Sequence, residues 1–396
     1  MRKFKDCLLN IFTNLFSTFG ILTLIAILIF IFTKGFSTLN FDFIFGDNKS
    51  KLEIVTVDVN NEMFKDPNIE GSYFSDKWGI SLMDSKNTLG EDVVVINYID
   101  NLSPLKRTND VTSKEIIEIK EGQEVSQIIL RDNEDNLIIA VSRDGAEKMV
   151  GEINKADHIQ EMKTISKGGG IRGSLITTIL LILLTLVIAM PIGIITAIYL
   201  NEFAPKNKIT GVIRTMIDMT SGIPSVVFGL LGMLIFIPFM NKVIGSDGGS
   251  IASGALTLTT ILLPTIIKTT EESLKVIPDS LRNASLALGS SYSQMIYKVV
   301  LPNAMPGILT SIILSIGRII GESAALIYAI GTSISDTVAI NEMSTSLAVH
   351  MWAIMSGENP NFEAACAIAI IILILTLILI LITKLISKKF NKFEVK

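Results

Sequence analysis

Six long apolar segments constrain the fold of this chain more than any other feature of its sequence. A transmembrane helix needs about 20 largely apolar residues. Six segments reach or approach this length, at about 11–33, 174–200, 223–241, 251–270, 307–330 and 364–386. They cannot be loops, because lipid leaves backbone polar groups unpaired unless the chain is helical. The sequence therefore predicts an all-α polytopic membrane protein with six transmembrane helices.

The first apolar segment is predicted to be a retained anchor rather than a cleaved signal peptide. It follows Arg2, Lys3 and Lys5, as the apolar part of a signal peptide would. However, its apolar run is longer than that of a signal peptide, and no small-x-small cleavage site follows it. We assign residues 1–35 to this N-terminal transmembrane anchor.

The distribution of lysine and arginine predicts the orientation of the helices, because these residues accumulate on the cytoplasmic side. They precede the first segment, separate the second from the third and the fourth from the fifth, and follow the sixth: Arg2, Lys3, Lys5, Lys206, Lys208, Arg214, Lys275, Arg282, Lys298, Lys384, Lys388, Lys389, Lys392 and Lys396. Residues 332–363 contain four acidic residues and no lysine or arginine. We therefore expect a multi-pass protein of the cell membrane with both termini in the cytoplasm.

An acidic block separates the first two apolar segments. Residues 36–170 contain 25 acidic and 15 basic side chains, a net charge of −10, whereas the rest of the chain has a net charge of +6. Runs rich in β-branched residues predict strands at Val55–Val59, Val93–Tyr98, Gln127–Leu130 and Leu137–Val141, and Ala146–Ala156 resembles a short helix. We predict a small α/β extracytoplasmic domain inserted at 36–169, which ends in a glycine-rich joint. A structural cap is favoured over a ligand-binding module.

The chain has no residues in a pattern typical of catalysis, metal binding or nucleotide binding. Its two cysteines, Cys7 and Cys366, and its two histidines, His158 and His350, are too far apart in sequence to form a metal-ligand motif. No GxxxxGK[ST] sequence is present, so the chain does not bind ATP by that route. We therefore predict no catalytic residues, no metal site and no cofactor bound by this chain.

A polar stretch, residues 278–306, lies between the fourth and fifth apolar segments. Pro278 suits a helix start, and Gly289 is expected to break the helix. A second helix, Tyr292–Val300, is predicted to follow the possible caps Ser290 and Ser291 and to end at Leu301-Pro302. The sequence predicts two short helices around a glycine at the membrane surface.

The spacing within this stretch resembles the "EAA" loop of ABC importer permeases. The matching residues are Asn283, Ala284, Ser285, Gly289, Leu301 and Pro302. In that family the loop docks onto a separate ATPase subunit. Asn283 stands where the family has a glutamate. This difference does not affect the predicted shape of the loop, but it removes the charge on which the family's contact with the ATPase depends. An ordinary amphipathic connector is the alternative.

From Gly170 onward, a series of motifs resembles the phosphate-specific ABC transporter permeases of the PstA type. The motifs are Ala197–Glu202, Gly222–Gly232, Gly254–Leu258, Leu263-Pro264, Pro306–Thr310 and Gly317–Glu322. The resemblance implies a permease core at 170–390 and a complex with a sister permease, ATPase subunits and an extracytoplasmic phosphate-binding protein, all within membrane lipid. ATP and Mg would bind to the ATPase, and nothing points to nucleic acid.

Two places within the core are candidates for the substrate path. Arg318 and Glu322 are the only ionisable residues deep in the fifth segment, and their spacing predicts one shared helical face. The functional interpretation is that Arg318 meets an anion while Glu322 maintains its geometry; the alternative is a structural ion pair. Ser221 and Ser225 flank Gly222 and Pro224, where we expect an unwound stretch near the path.

Three other functions remain open from the sequence. A membrane sensor would use the acidic domain to detect a ligand, but it needs no charges at the midplane of the membrane. A secondary transporter for an anion lacks the internal repeat that many such folds have. An importer of a related oxyanion would share all of the features described above.

Overall fold

The computed structural model describes residues 2–50, 52–57, 63–86, 92–111, 116–131, 136–165, 168–357 and 360–390. Contacts divide the chain into two compact units. Residues 1–48 and 170–396 form the membrane unit, and residues 49–169 form the insertion. The end of the strand predicted at Val55–Val59, and residues 132–135 between two of the other predicted strands, lie outside the described residues.

The described residues form fourteen α-helices. In chain order they are α1 (Arg2–Gly35), α2 (Phe41–Phe45), α3 (Ala146–Ile153), α4 (Arg172–Ile198), α5 (Lys208–Thr220), α6 (Ser225–Leu231), α7 (Ile237–Ile244), α8 (Ile251–Lys275), α9 (Asp279–Ala287), α10 (Tyr292–Met295), α11 (Leu301–Gly321), α12 (Ala324–Ala329), α13 (Leu347–Ser356) and α14 (Phe362–Phe390). Wider, π-helical turns continue α4 at Tyr199–Phe203, join α6 to α7 at Gly232–Phe236 and join α10 to α11 at Ile296–Val300.

Six described segments are long and apolar enough to cross a membrane, which confirms the predicted class of fold. They are Phe12–Thr38, Arg172–Phe203, Ser225–Ile244, Ile251–Lys275, Tyr292–Gly321 and Phe362–Lys388. The fifth differs from the prediction of 307–330, because the helix begins much earlier and ends at Gly321. Glu322 leaves the helical conformation with a ψ of 119°, so Glu322 and Ser323 separate α11 from the short helix α12.

Helix α8 lies at the centre of the membrane unit. Its Leu262 and Ile266 are fully buried among side chains of α4 and α11. The helices approach closely where a glycine faces the neighbouring helix. A Cβ added to Gly193 would lie 2.5 Å from Cγ2 of Ile266, and one added to Gly307 would lie 1.9 Å from Oγ of Ser273. Small residues at crossings are a common feature of membrane helix packing, and here they bring α4 and α11 against α8.

Prolines occupy two kinds of position. Pro191 and Pro264 lie inside α4 and α8. Pro224 belongs to the apolar segment predicted at 223–241, but it lies directly before α6 and not inside the helix. A proline fits at a helix start because its missing N–H has no partner to lose there. The membrane segment at 223–241 therefore begins at Ser225, after an irregular connection from α5.

The predicted boundary of the inserted domain at residue 36 differs from the contacts in the structure. Phe43 of α2 is buried with Ile171 and Leu347 in the membrane unit. The backbone N–H of Gly170 donates to the carbonyl of Asp47 at 3.0 Å. Residues 36–48 thus pack with the membrane helices, and the insertion begins at residue 49.

The insertion is an antiparallel sheet of nine strands with α3 packed against it. The strands are β1 (Leu52–Val57), β2 (Tyr73–Ser75), β3 (Ile80–Lys86), β4 (Asp92–Ile99), β5 (Thr108–Asp110), β6 (Ile116–Ile117), β7 (Glu124–Arg131), β8 (Leu137–Val141) and β9 (His158–Ile165). Their order is β2-β3-β4-β7-β9-β1-β5-β6, and β8 also pairs with β7. The fully buried Trp78 donates from Nε1 to the carbonyl of Ile153, which joins the sheet to α3. The predicted α/β character is confirmed.

Candidate functional site

Residues 278–306, the coupling segment, contain a helix, a glycine turn and a second helix. Helix α9 ends before Gly289, whose φ of +86° lies in the region that favours glycine. Oγ of Ser290 donates to the carbonyl of Ser285 at 2.7 Å across this turn. Ser291 caps α10 in a reciprocal arrangement with Gln294. The backbone therefore forms the helix–glycine–helix arrangement predicted from the sequence.

The second helix does not end at Leu301-Pro302 as we predicted. It continues through a π-helical turn, Ile296–Val300, into α11. A proline interrupts the regular hydrogen bonds of an α-helix, and a wider turn redistributes those bonds. The side chain of Asn303 also donates to the carbonyl of Val299 at 2.7 Å. The coupling segment is therefore continuous with the fifth membrane span.

The outer surface of α9 exposes an unusual mixture of residues. Asn283 and Ala284 are exposed, whereas Ser285, Leu301 and Pro302 are half-buried. Leu288, next to Gly289, exposes 90% of its surface, and Leu281 is exposed on the same helix. Leu286 is exposed as well, and a group of exposed apolar side chains is typical of a contact surface, whereas a single one is not. The exposed part of the segment thus has the composition of a contact surface.

Arg282 attaches the coupling segment to the rest of the membrane unit, an interaction that the sequence analysis missed. Its Nη2 is 3.0 Å from Oε1 of Glu202 and 2.9 Å from the carbonyl oxygen of Leu274, and its Nη1 donates to the carbonyl of Ile277. Only 14% of the Arg282 side chain and 3% of the Glu202 side chain are exposed. The hydroxyl of Tyr292 donates to the carbonyl of Glu202 at 2.8 Å. These contacts join α9, α10, and the ends of α4 and α8.

Arg318 is in a very different environment near the end of α11. Its Nη1 is 3.3 Å from Oγ1 of Thr265 in α8, which is the one hydrogen bond of its guanidinium to the described residues. No described carboxylate lies within ion-pair distance of it. The side chain is half-buried. A guanidinium has five donors, so most of its hydrogen-bonding capacity is available to a further group.

Glu322 does not share a helical face with Arg318, in contrast to the prediction from their spacing. The helix ends at Gly321, and Oε1 of Glu322 accepts a hydrogen bond from the N–H of Ala325 at 3.1 Å. Glu322 therefore caps α12 instead of pairing with Arg318 among the described residues. The break in the helix was not evident from the apolar run, which continues through Ile330.

The face of α11 beside Arg318 is open in this chain. Thr310, Leu314, Gly317 and Gly321 are exposed and recur at helical spacing. A Cβ added to Gly317 or to Gly321 would meet no atom within 4 Å. This open face differs from the beginning of α11, where Gly307 lies against Ser273. Arg318 thus lies at the edge of a surface that this chain leaves uncovered.

Ser221 and Ser225 lie at the two ends of the irregular connection between α5 and α6. Ser221 follows α5 and is exposed, and Ser225 begins α6 and is half-buried. The unwound stretch predicted at this place is therefore present. Close to its end, a Cβ added to Gly229 would lie 2.8 Å from Cα of Ala325, so α6 packs tightly on α12. Neither serine forms a hydrogen bond with Arg318 in the described part of the chain.

A second group of charged residues connects α5 with α8. Nη2 of Arg214 is 2.9 Å from Oε1 of Glu271 and 2.7 Å from the carbonyl oxygen of Leu200, and Lys275 is also 2.9 Å from Glu271. Lys268 pairs with Asp218 at 3.1 Å. The pairs of Arg214 with Glu271 and of Lys268 with Asp218 were not predicted, because their partners lie in different helices and no periodicity relates them, whereas Lys275 and Glu271 are four residues apart in α8. Among the described residues, no group of three or more His, Cys, Asp or Glu side chains could hold a metal ion.

Comparison with known proteins relates the membrane unit to transport components. Residues 189–392 match the model of the family described as "Binding-protein-dependent transport system inner membrane component". The probable ABC transporter permease protein YqgI of Bacillus subtilis is 36% identical over 214 residues, which is 50% of this chain and 71% of that protein. The phosphate transport system permease protein PstA of Yersinia pestis is 36% identical over 181 residues, 46% of this chain and 58% of that protein.

Two further matches complete the comparison. Phosphate transport system permease protein PstA 2 of Mycobacterium bovis is 37% identical over 166 residues, 42% of this chain and 53% of that protein, so the chain spans little more than half of the named phosphate permeases. The inward facing MetNI methionine ABC transporter aligns with a TM-score of 0.43 and 19% identity over 56% of this chain and 95% of that chain. The family match and the membrane helices show that the chain belongs to the inner membrane components of binding-protein-dependent transport systems. It is an ABC importer permease subunit, which is a transport component rather than an enzyme.

Proposed function

We propose that this chain is the permease subunit of an ATP-driven importer for inorganic phosphate. The observation that carries this proposal is Arg318, a cation within a membrane span that has one neutral hydrogen-bond partner and no carboxylate partner among the described residues. The similarity to permeases named for phosphate transport supports the choice of anion. A related oxyanion is the alternative within the same chemistry.

The chemistry of arginine fits an oxyanion in a membrane. A charge within a membrane span costs about 2.5–3.5 kcal/mol on insertion scales, so it is retained where it meets a partner or a cavity. The planar fork of donors of a guanidinium matches two oxygens of a phosphate at once. Thr265 holds one donor of Arg318 and leaves the others free. Glu322, close in sequence but engaged with α12, adds negative charge that limits how tightly an anion is held.

The open face of α11 supports the presence of a sister permease. Arg318, Gly317 and Gly321 lie at a surface that this chain leaves uncovered, so this chain alone does not enclose a path there. A second permease packed against this face would complete the path and exclude lipid from it. Ser221 and Ser225, at the unwound connection, would contribute hydroxyl groups to the same path.

The coupling segment is proposed to dock onto ATPase subunits. Its exposed Leu281 and Leu288, and the exposed Asn283, would contact a groove on that partner. ATP and Mg would bind to the ATPase, and an extracytoplasmic phosphate-binding protein would deliver the anion. Closure of the ATPase around ATP would move the coupling segment, and the movement would change which side of the membrane the path opens to.

This arrangement requires both termini and the coupling segment to lie in the cytoplasm, with the insertion outside. In a cysteine-free background, a cysteine at Leu102, which exposes 76% of its surface in the insertion, should react with an impermeant reagent added to intact cells. A cysteine at the exposed Ser293 should react only after the membrane is opened. Labelling of Ser293 in sealed cells would contradict the orientation.

The function itself is tested by uptake in proteoliposomes that contain the purified complex. We expect uptake of labelled phosphate, and we expect this uptake to require ATP and the binding protein. Excess unlabelled phosphate should suppress the uptake more strongly than excess sulfate does. Gly317→Leu should block uptake, because the added side chain enters the open face, whereas Gly20→Leu provides a matched control. Both glycines have no atom within 4 Å of an added Cβ, so the two sites are equally open at the first side-chain atom. Equal uptake by the two variants would remove the open face of α11 from the path, and suppression by sulfate alone would remove phosphate as the cargo.

A further inference from the structure

The buried contacts of Arg282 connect three parts of the membrane unit that are distant in sequence. Glu202 belongs to the π-helical turn at the end of α4, Arg282 to α9, and Tyr292 to the start of α10. Arg282 and Glu202 are 80 residues apart. We define these three residues as the Arg282 cluster. The ring of Tyr292 also packs edge-on against Phe203, with the ring centres 5.5 Å apart.

Each hydrogen bond recorded for Arg282 reaches an acceptor either elsewhere in the membrane unit or in α9 itself. Nη2 reaches Glu202 and the carbonyl of Leu274, and Nη1 reaches the carbonyl of Ile277 and the exposed carboxylate of Asp279. Leu274 and Ile277 lie at the end of α8 and just after it. A single side chain therefore binds the ends of two membrane helices to the coupling segment, and the planar guanidinium fixes the relative positions of all three.

The burial of the pair makes this connection stiff. With 3% of the Glu202 side chain and 14% of the Arg282 side chain exposed, water cannot easily replace either partner. An ion pair in low-dielectric surroundings with additional hydrogen bonds resists separation more strongly than an exposed pair. By contrast, the surface of α9 that faces away from the cluster makes no comparable contact within the described residues and is free for a partner.

We propose that the Arg282 cluster is the mechanical connection that transmits movement of the coupling segment to α4 and α8, with Arg282 as the positioning residue. This inference rests on the proposed docking of an ATPase onto the coupling segment. Helix α8 contains Thr265, the partner of Arg318, so a displacement of the end of α8 reaches the candidate anion site along one helix. Tyr292 adds a second connection to α4, through its hydrogen bond to the carbonyl of Glu202.

The connection is tested with spin labels on the purified chain, without any partner. Cysteines replace the exposed Tyr199, on the π-helical turn that continues α4, and the exposed Ser280, on α9, in a background without Cys7 and Cys366. When the chain has no change other than the labels, the distances between the two labels should fall in a narrow distribution. The neutral double variant Glu202→Gln/Arg282→Met leaves no lone buried charge, and we expect the width of the distribution to increase about twofold or more. A control pair at Ser280 and Ser293, both within the coupling segment, should keep its width.

The transmission is tested in the assembled importer. The double variant should bind the ATPase subunit as well as the unchanged chain, since the exposed surface of α9 is intact. Phosphate taken up per ATP hydrolysed should fall about tenfold or more, in the range of typical coupling between distant sites. Tyr292→Phe, which removes one hydrogen bond and keeps the ring, should cause a smaller loss of the same kind.

The outcomes separate this inference from the proposed function. Unchanged distance widths, or broadening of both label pairs, would overturn the connection, because Arg282 would then be dispensable or would only hold the fold of the segment. Unchanged uptake per ATP would overturn it as well. If the unchanged chain bound no ATPase, the proposed function would fail, whereas the distance between α4 and α9 would still report on the connection.

Discussion

Arg282 and Arg318 belong to the same membrane unit but have opposite surroundings. Arg282 has a buried carboxylate and two backbone carbonyls as partners, and it is largely hidden from water. Arg318 has one hydroxyl partner and lies beside an open helix face. A cation with most of its donors engaged stabilises structure, whereas a cation with free donors in low-dielectric surroundings can bind a further group. The difference separates the end of the membrane unit that we propose for coupling from the candidate path.

The largest effect that follows from this comparison concerns single changes in the Arg282 cluster. Arg282→Met leaves Glu202 as a buried charge without its partner, and breaking a buried pair in this way costs about 3–5 kcal/mol. We expect a strong loss of the chain from membranes. The double variant Glu202→Gln/Arg282→Met should recover most of the abundance, because no lone charge remains. Quantitative immunoblots of membranes measure this, and equal losses in the single and double variants would argue against a buried pair.

A smaller effect distinguishes the two ends of α11. Gly307→Ala should destabilise the packing of α11 on α8 by about 1–3 kcal/mol, because the added methyl overlaps Ser273. Gly317→Ala should instead be neutral or stabilise α11 by roughly 0.5–1 kcal/mol, since the site is open and alanine favours helix. The midpoints of thermal unfolding in detergent provide the comparison. Destabilisation by both changes would mean that the face beside Arg318 is not open.

The glycine turn of the coupling segment combines a modest predicted effect on stability with a clear effect on partner binding. Gly289 has a φ of +86°, where a β-branched residue is strained by roughly 1–3 kcal/mol. Gly289→Val should therefore reduce recovery of the ATPase subunit in pull-down experiments, while the chain still inserts. Gly289→Asn is the matched control, because asparagine tolerates positive φ better. Full recovery with valine would show that the shape of this turn does not matter for docking.

The sequence predicted those features that depend on local composition. Apolar length predicted the six spans, and glycine and serine chemistry predicted the turn at Gly289 and the start of α10. Strands β1, β4, β7 and β8 were predicted from their β-branched residues; the ends of β8 match the prediction, whereas those of β1, β4 and β7 differ. These are properties of segments of a few to about 20 residues, in which the neighbours in sequence determine the secondary structure.

Other features depended on contacts between distant residues. Strand β9 lies in the middle of the sheet but contains Gln160, Glu161 and Lys163, and its polar side chains find partners such as Arg131 and Gln127 on β7. The pairing of Glu202 with Arg282 joins residues that no periodicity relates. Glu322 was placed on the face of Arg318 because an apolar run gives no sign of where a helix breaks. Residues 36–48 were assigned to the insertion although Phe43 packs with the membrane helices.

The claim that Arg318 meets the transported anion while Arg282 holds structure is tested most directly by phosphate uptake normalised to the amount of assembled complex. For Arg318→Gln we predict unchanged assembly and a loss of uptake of roughly 100-fold, because two charge-assisted hydrogen bonds to the anion are lost. Arg318→Lys should retain part of the uptake, since the charge remains without the planar fork. Uptake that falls only in proportion to lost assembly would contradict the account, and so would normal uptake by Arg318→Gln.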